Sequence, residues 1–509
     1  MRSKNALKNL ISYIIYTILV FALGLIFSRF IILTYGSEIN GLTSTITRLL
    51  ALINLIQAGA VGAAIFQMYK PVANNDFETQ SAIIFSSRRF YKKMTVIYLI
   101  LALVIGIFYG LYLHNENLST IEIFLSFLIF ASNGSFAFLV TAPVDIYASP
   151  HQKKYYLIIA AILEQLVRYL LITVVLVFKL HFLFMYVSIF VGGLVGAILN
   201  TLYYNKITNG QIKKVPLKKD LVIPNKKYLM LSSVGSQAVI ASPSVIITTF
   251  IGLSYSSVFS IYFMIYTSIY TLLSSIQLSV SAIFGNLVST SDDEKIHSVY
   301  DSVEYLTMTI GTIISVCTML LFLPFISLYS QGITDIEYVV PLLAVFTVIN
   351  ICLFTINMSF SYVATIYGYF KYTCNVTLTT GFIGIVISTI GAILFGMPYV
   401  MVGLIFSQTG SIIATLYILK KRLNWFSIGK LFLRSLFMIL MVGIAYIISI
   451  NLNERIQSWV SWLLHGLSFV GISILVVIFY SLVFERKTFK ALIFYITQLM
   501  NIKKKVSLS

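Results

Sequence analysis

Runs of about twenty apolar residues recur along the whole chain, the length a helix needs to cross a hydrocarbon core about 30 Å thick. Reading these runs between polar interruptions gives about fourteen, at 10–33, 44–69, 94–113, 121–147, 156–178, 182–204, 229–252, 258–286, 303–329, 338–367, 376–395, 398–419, 430–450 and 460–484. In hydrocarbon each backbone N–H and C=O must be satisfied within the protein, so the runs are read as helices. The expected fold class is all-α, a polytopic membrane protein of about 14 transmembrane helices. Only Gly396, Met397 and Pro398 separate two of the runs, and fusing them would break the charge pattern described next. Composition agrees: 59% of residues are hydrophobic and 10% charged, against about 25% charged in soluble domains.

The formal net charge of +18 could indicate a nucleic-acid partner, but the basic residues are spread over a membrane face. With the N-terminus inside, 29 of the 35 Lys and Arg fall in inner connections or the termini, and only Lys179 and Arg455 in outer ones. This is the positive-inside pattern, which puts both termini in the cytoplasm and excludes nucleic acid as a partner. Most of these side chains are expected to set topology and to touch membrane lipids. The basic lead Arg2, Lys4 and Lys8 resembles a signal sequence, but the run Leu10 to Leu33 exceeds a cleaved core of about 7–15 residues and reads as a retained span. Cys317, Cys352 and Cys374 have no metal-ligand or CxxC spacing and read as packing residues.

The most basic connection, 205–228, carries seven lysines around Pro216 and Pro224 and follows the sixth span. It divides the chain into an N-terminal six-helix bundle at 1–204 and a second at 229–419, followed at 420–509 by two further spans and a basic tail. Two six-helix halves are the sequence shape of a transporter. The short turns Tyr35-Gly36-Ser37-Glu38-Ile39-Asn40-Gly41 and Gly252-Leu253-Ser254-Tyr255-Ser256 echo each other in the two halves.

The chain shows neither a catalytic constellation nor a sizeable external loop to hold one, which weighs against an enzyme and leaves open an active site among the helices. The histidines His114, His151, His181, His297 and His465 are scattered, without a second ligand at metal spacing, and no nucleotide-binding loop is present. No metal and no cofactor are expected, although proton or sodium coupling is open. The informative residues are charges inside the spans, each costing about 2.5–3.5 kcal/mol or more at the bilayer centre unless hydrated or paired. Glu164 and Arg168 share one helical face, with Arg168 roughly 18 Å into its span. They read as a structural ion pair or as a cation lining a hydrated cavity, with Glu164 orienting it or coupling an ion. Arg29 and Arg48 flank the first outer turn, either as snorkelling anchors or as two guanidiniums facing phosphate oxygens. Asp145 and Arg434 stand at inner span ends and read as interfacial. Asn54, Gln57, Gln237, Gln277, Asn350, Asn357 and Gln408 are polar positions that suit either helix–helix bonding or a sugar-contacting lumen. Pro143 and Pro243 are expected to bend their helices.

Local sequences add a resemblance. Tyr69-Lys70-Pro71-Val72-Ala73-Asn74-Asn75-Asp76-Phe77 with Ser87-Arg88-Arg89-Phe90-Tyr91-Lys92-Lys93 resembles the first cytoplasmic connection of bacterial polysaccharide-biosynthesis flippases, the polysaccharide transporters of the MOP superfamily. The first outer turn through Leu42, and Phe284-Gly285-Asn286-Leu287-Val288, are similar to that family as well. The resemblance implies two six-helix bundles around a central cavity plus two C-terminal helices in the bacterial cell membrane. The implied cargo is an oligosaccharide repeat unit on undecaprenyl diphosphate, moved from the inner to the outer leaflet for capsule, exopolysaccharide or a related polymer. A polysaccharide polymerase and chain-length machinery would be its partners. Arg29, Arg48 and Arg168 match, by depth, the arginines expected to engage the diphosphate. Where relatives often carry an acidic residue early in the seventh span, this chain has Ala241-Ser242-Pro243-Ser244, so no coupling role transfers there. A peptidoglycan-precursor flippase or a drug exporter of the same superfamily is the alternative, and a membrane glycan polymerase or ligase is a third reading.

Overall fold

A computed structural model describes residues 2–113, 117–213, 226–290, 292–490 and 492. His114, the centre of the basic connection at 214–225 and the tail from 493 lie outside the described residues, as do the side chains of Gln57, Lys226 and Lys227. The described residues form sixteen α-helices and no strand: α1 (Arg2–Tyr35), α2 (Ser37–Ala73), α3 (Phe77–Tyr112), α4 (Thr120–Phe136), α5 (Ala142–Ala148), α6 (Tyr155–Val177), α7 (Leu183–Thr208), α8 (Lys226–Phe250), α9 (Leu253–Thr290), α10 (Asp293–Tyr329), α11 (Pro341–Ile366), α12 (Phe370–Phe395), α13 (Val400–Arg422), α14 (Gly429–Ser449), α15 (Leu452–Arg455) and α16 (Trp459–Phe484). Among the described residues thirteen helical segments are long and apolar enough to cross a membrane. The expected span at 44–69 lies on the 37-residue α2. The turn expected at Gly396-Met397-Pro398 is present, with Gly396 at φ 90.

Helices α2, α3, α9 and α10 are 36–38 residues long. At 1.5 Å per residue each measures roughly 55 Å, so its ends project past the hydrocarbon. The element order also repeats. Helix α9 starts at residue 253, 216 after α2 at 37, and α10 starts at 293, 216 after α3 at 77. Gly36 and Gly252 keep this interval and both have positive φ, as do Lys179 and Gly396, which are 217 apart. The echo between the two outer turns is therefore part of a repeat that runs through several successive helices.

The chain forms two compact units that divide between Ile261 and Tyr262, inside α9. In the first, the fourth span is interrupted by a π-turn at Ala137–Thr141, where the Ala142 N–H reaches back to the Ala137 carbonyl. The wider turn comes directly before Pro143, which has no N–H to donate and crowds the preceding turn of a regular helix. Pro243 lies inside α8. The Ser242 hydroxyl donates to the Val239 carbonyl at 3.0 Å, the acceptor that Pro243 leaves free.

Helix α2 meets α8 and the start of α9 along a buried polar seam. The Asn40 amide donates to Ser257 Oγ at 2.7 Å, and the Thr45 hydroxyl bonds those of Thr248 and Ser256. A Cβ at Gly41 would stand 1.9 Å from the Leu253 carbonyl oxygen, so only glycine permits this approach. The absence of a side chain lets backbone and hydroxyls supply the contact, the usual way membrane helices associate without a hydrophobic driving force.

The second unit is built around α10, which packs on α11, α14 and α16. Arg434, read from sequence as interfacial, is instead buried, its side chain only 2% exposed. Its guanidinium donates through Nε and Nη2 to Glu485 at 2.9 and 3.0 Å, through Nη1 to Glu304 at 2.9 Å, and through Nη2 to Asp301 at 2.8 Å. Lys430 and Thr488 complete the set on Asp301 and Glu485. Sequence placed Arg434 at a helix end correctly, but the carboxylates that enclose it come from α10 and from the residue following α16. Arg434→Ala is expected to destabilise the protein by about 3–5 kcal/mol, because it leaves buried carboxylates unpaired. Arg434→Lys should recover only part of this, since an ammonium lacks the guanidinium fork. Thermal unfolding of the detergent-solubilised protein checks it, and an Ala variant melting like the unmodified protein would refute the role given to this cluster.

Candidate functional site

Within the first unit the seed of the site is the pair expected on one face of α6. Arg168 Nη2 donates to Glu164 Oε1 at 2.7 Å, and the two side chains are 17% and 24% exposed. The pair is enclosed without being sealed. Arg168 Nε has no hydrogen-bond partner among the described residues. One guanidinium edge thus remains chemically unsatisfied in a helix that crosses the membrane.

What holds the pair in place is α7, and the signal is a small-residue stripe. A Cβ at Gly192 would lie 2.9 Å from Arg168 Cβ, and one at Gly196 would lie 2.5 Å from Glu164 Oε2. Gly193 performs the same service for α4: a Cβ there would stand 1.7 Å from Asn133 Oδ1. Asn200, one turn beyond Gly196, is buried. The side-chain oxygens of Asn133 and Asn200 have no partner among the described residues. The α7 stripe therefore brings Arg168 and Glu164 of α6 against Gly192 and Gly196, and Asn133 of α4 against Gly193. Sequence analysis missed Asn133, Asn200 and the glycines, although the Gly192-x-x-x-Gly196 spacing was a legible sign of close helix contact. Helix α1 contributes Phe27, whose ring lies 4.4 Å from that of Tyr169.

Arg29 on α1 and Arg48 on α2 are half-buried. The Tyr35 hydroxyl donates to the Leu180 carbonyl, which fixes the α1–α2 and α6–α7 turns at one level. Counted from those turns at 1.5 Å per residue, Arg29 lies roughly 9 Å, Arg168 roughly 14 Å and Arg48 roughly 17 Å along their helices. The three cations expected from sequence thus occupy one band of depth in one unit, with Arg48 deeper than its position in the apolar run suggested.

The polar candidates separate. Asn54 is half-buried with an unpartnered Oδ1, and Gln237 is exposed, both in the first unit. In the second unit the Asn357 amide donates to Gln408 Oε1 at 3.1 Å, and that of Gln277 to Ser361 Oγ at 3.0 Å. Asn350 donates to the Met401 carbonyl at 3.3 Å. These three are helix–helix bonds joining α9, α11 and α13. Among the described residues no group of three or more His, Cys, Asp and Glu side chains could hold a metal.

No family model matches the chain, and no curated protein sequence matches it. Solved structures do. The lipid II flippase MurJ, in an inward closed conformation, is similar over 92% of this chain and 99% of that one, at 15% identity and a TM-score of 0.63. An inward-facing multidrug resistance MATE family transporter of the MOP superfamily is similar over 84% of this chain and 94% of that one, at 12% identity and a TM-score of 0.62. A mutant of the Vibrio cholerae MATE transporter VcmN aligns over 84% and 99%, at 14% identity and a TM-score of 0.57. At these identities the likeness is one of fold: this chain shares the many-helix membrane architecture of those structures.

Gly196→Val forces a side chain against the Glu164 carboxylate and is expected to cost about 1–3 kcal/mol. Gly443, where a Cβ meets nothing within 4 Å, provides the control. Melting temperatures of Gly196→Val and Gly443→Val should differ by several degrees, and equal values would show that the α6–α7 contact is loose.

Proposed function

We propose that this protein is a flippase that carries oligosaccharide repeat units on undecaprenyl diphosphate from the inner to the outer leaflet of the bacterial cell membrane by alternating access. The observation that carries the reading is Arg168, a guanidinium held halfway along a membrane helix with one carboxylate partner and one unsatisfied edge. A diphosphate cannot cross hydrocarbon unaided, because burying unpaired charge costs far more than thermal energy supplies. Arg168 offers planar donors to phosphate oxygens, and Arg29 and Arg48 lie in the same band of depth, while the polyprenyl tail stays in lipid. The sugar and the destination rest on the resemblance of residues 69–93 and 284–288 to polysaccharide flippases, with a polymerase and chain-length machinery as downstream partners. Both termini lie in the cytoplasm in this reading, which the distribution of Lys and Arg supports.

Glu164 is the coupling group in the same reading. A cargo phosphate that takes over Arg168 releases the Glu164 carboxylate, where a proton or a sodium ion replaces the lost cation. A second cargo in keeping with the fold is a lipid-linked peptidoglycan precursor, since the lipid II flippase is among the structures this fold resembles.

In proteoliposomes given defined lipid-linked glycans, Arg168→Ala is expected to abolish translocation at unchanged membrane abundance, and Arg168→Lys to retain a small fraction. Full activity of Arg168→Ala would sink the assignment. Lys at Arg29 or Arg48 should preserve only part of the rate, whereas full rates would identify those residues as interfacial anchors. Glu164→Gln should leave cargo binding in place and remove the dependence of transport on an imposed proton or sodium gradient. A variant that still responds to the gradient would exclude Glu164 from coupling.

A further inference from the structure

The basic end of the first unit holds another arginine, Arg88, which is held without an ion pair among the described residues. Arg88 belongs to the stretch of α3 that precedes the apolar run at 94–113, six residues or roughly 9 Å outside it, which is headgroup depth. Among the described residues no carboxylate pairs with Arg88. Its guanidinium is instead fixed by aromatic faces, 4.8 Å from the ring centre of Tyr204 on α7 and 5.7 Å from that of Phe85. Tyr204 is itself held edge-on by Tyr147, 5.9 Å away on α5. The arginine is therefore oriented, which distinguishes it from the exposed Arg89, Lys92, Lys93 and Lys206 around it.

Two buried hydroxyls point to a missing acceptor. Tyr204 is 7% exposed and Tyr91, one turn from Arg88, is 1% exposed, yet neither hydroxyl has a hydrogen-bond partner among the described residues. The acidic side chain in this region, Asp145, is already committed to Lys154 at 3.2 Å and to Ser149. An oxygen-rich anion at Arg88 would supply the acceptor that the ring under the guanidinium lacks. Beyond Arg88, α3 turns Phe90, Val96 and Ile100 outward, 37%, 57% and 56% exposed, so acyl chains can follow the same helix.

We infer that Arg88, with the hydroxyl of Tyr204, binds the phosphate of an anionic phospholipid of the bilayer at the basic end of the first unit. The surrounding lysines and Arg89 raise the local concentration of such lipids, and Arg88 supplies the oriented contact. This site is separate from the Arg168 pair and does not depend on the cargo assigned to it.

The test uses the full-length protein in phosphatidylcholine nanodiscs containing a small fraction of phosphatidylglycerol, with retained lipid counted by native mass spectrometry. Arg88→Gln is expected to weaken retention of one phosphatidylglycerol about tenfold, whereas Arg89→Gln, which removes the same charge at an exposed position, should change it less than about twofold. Tyr204→Phe keeps the ring beneath the guanidinium and should still weaken retention severalfold. Equal losses for Arg88→Gln and Arg89→Gln would reduce the effect to diffuse surface charge and overturn the site. Displacement of phosphatidylglycerol by excess inorganic phosphate would assign the pocket to a soluble anion and also overturn it. If Arg88→Gln does not fold, retention by Tyr204→Phe equal to that of the unmodified protein overturns it.

Discussion

A charge inside a membrane helix must be paired or hydrated, and this protein satisfies that requirement in two opposite ways. Arg434 is enclosed by Asp301, Glu304 and Glu485, all its donors engaged and its side chain 2% exposed. Arg168 has one carboxylate, an unsatisfied Nε and a side chain 17% exposed. The first arrangement fastens α14 and the end of α16 to α10 in the second unit. The second is open to exchange of partners, and an anionic group is the partner a guanidinium accepts best. The same residue type thus acts as a rivet in one unit and keeps an unpartnered Nε in the other, decided by the number of carboxylates within reach.

Helix contacts follow the matching rule for the backbone. Lipid tails are as apolar as leucine, so α6 and α7, or α12 and α13, gain from contact only where small residues let them approach closely. Gly192 and Gly196 provide this for the first pair, and Gly384 with Gly403 for the second, where a Cβ on either would meet the other's carbonyl oxygen at 2.1–2.6 Å. The two pairs occupy corresponding places in the repeat. Only the first carries a charged pair at its contact. The repeat conserved the packing solution, while the chemistry was placed on one copy.

In the function proposed here, this asymmetry means that the cargo's charge is handled by the first unit. The helix-bonding amides of the second, Asn350, Asn357, Gln408 and Gln277, keep its helices in register. A mobile transporter needs such internal stiffness, because alternating access moves bundles as bodies.

Apolar run length and the dispersal of Lys and Arg determined the all-helical membrane fold, down to the tight turn at Gly396, because bilayer thickness and backbone satisfaction leave few other solutions. The Glu164–Arg168 pair was legible too, since i and i+4 positions meet on any helix. The sequence could not reveal that Arg434 is buried, because its three carboxylates lie more than fifty positions away on other segments. Nor could it show that Glu164 lies against Gly196 and Asn133 against Gly193, or that Arg88 rests on Tyr204. Those neighbours are set by which helix faces meet, and in lipid that choice falls to close steric fit, which apolar periodicity does not encode; only the tertiary structure decided it.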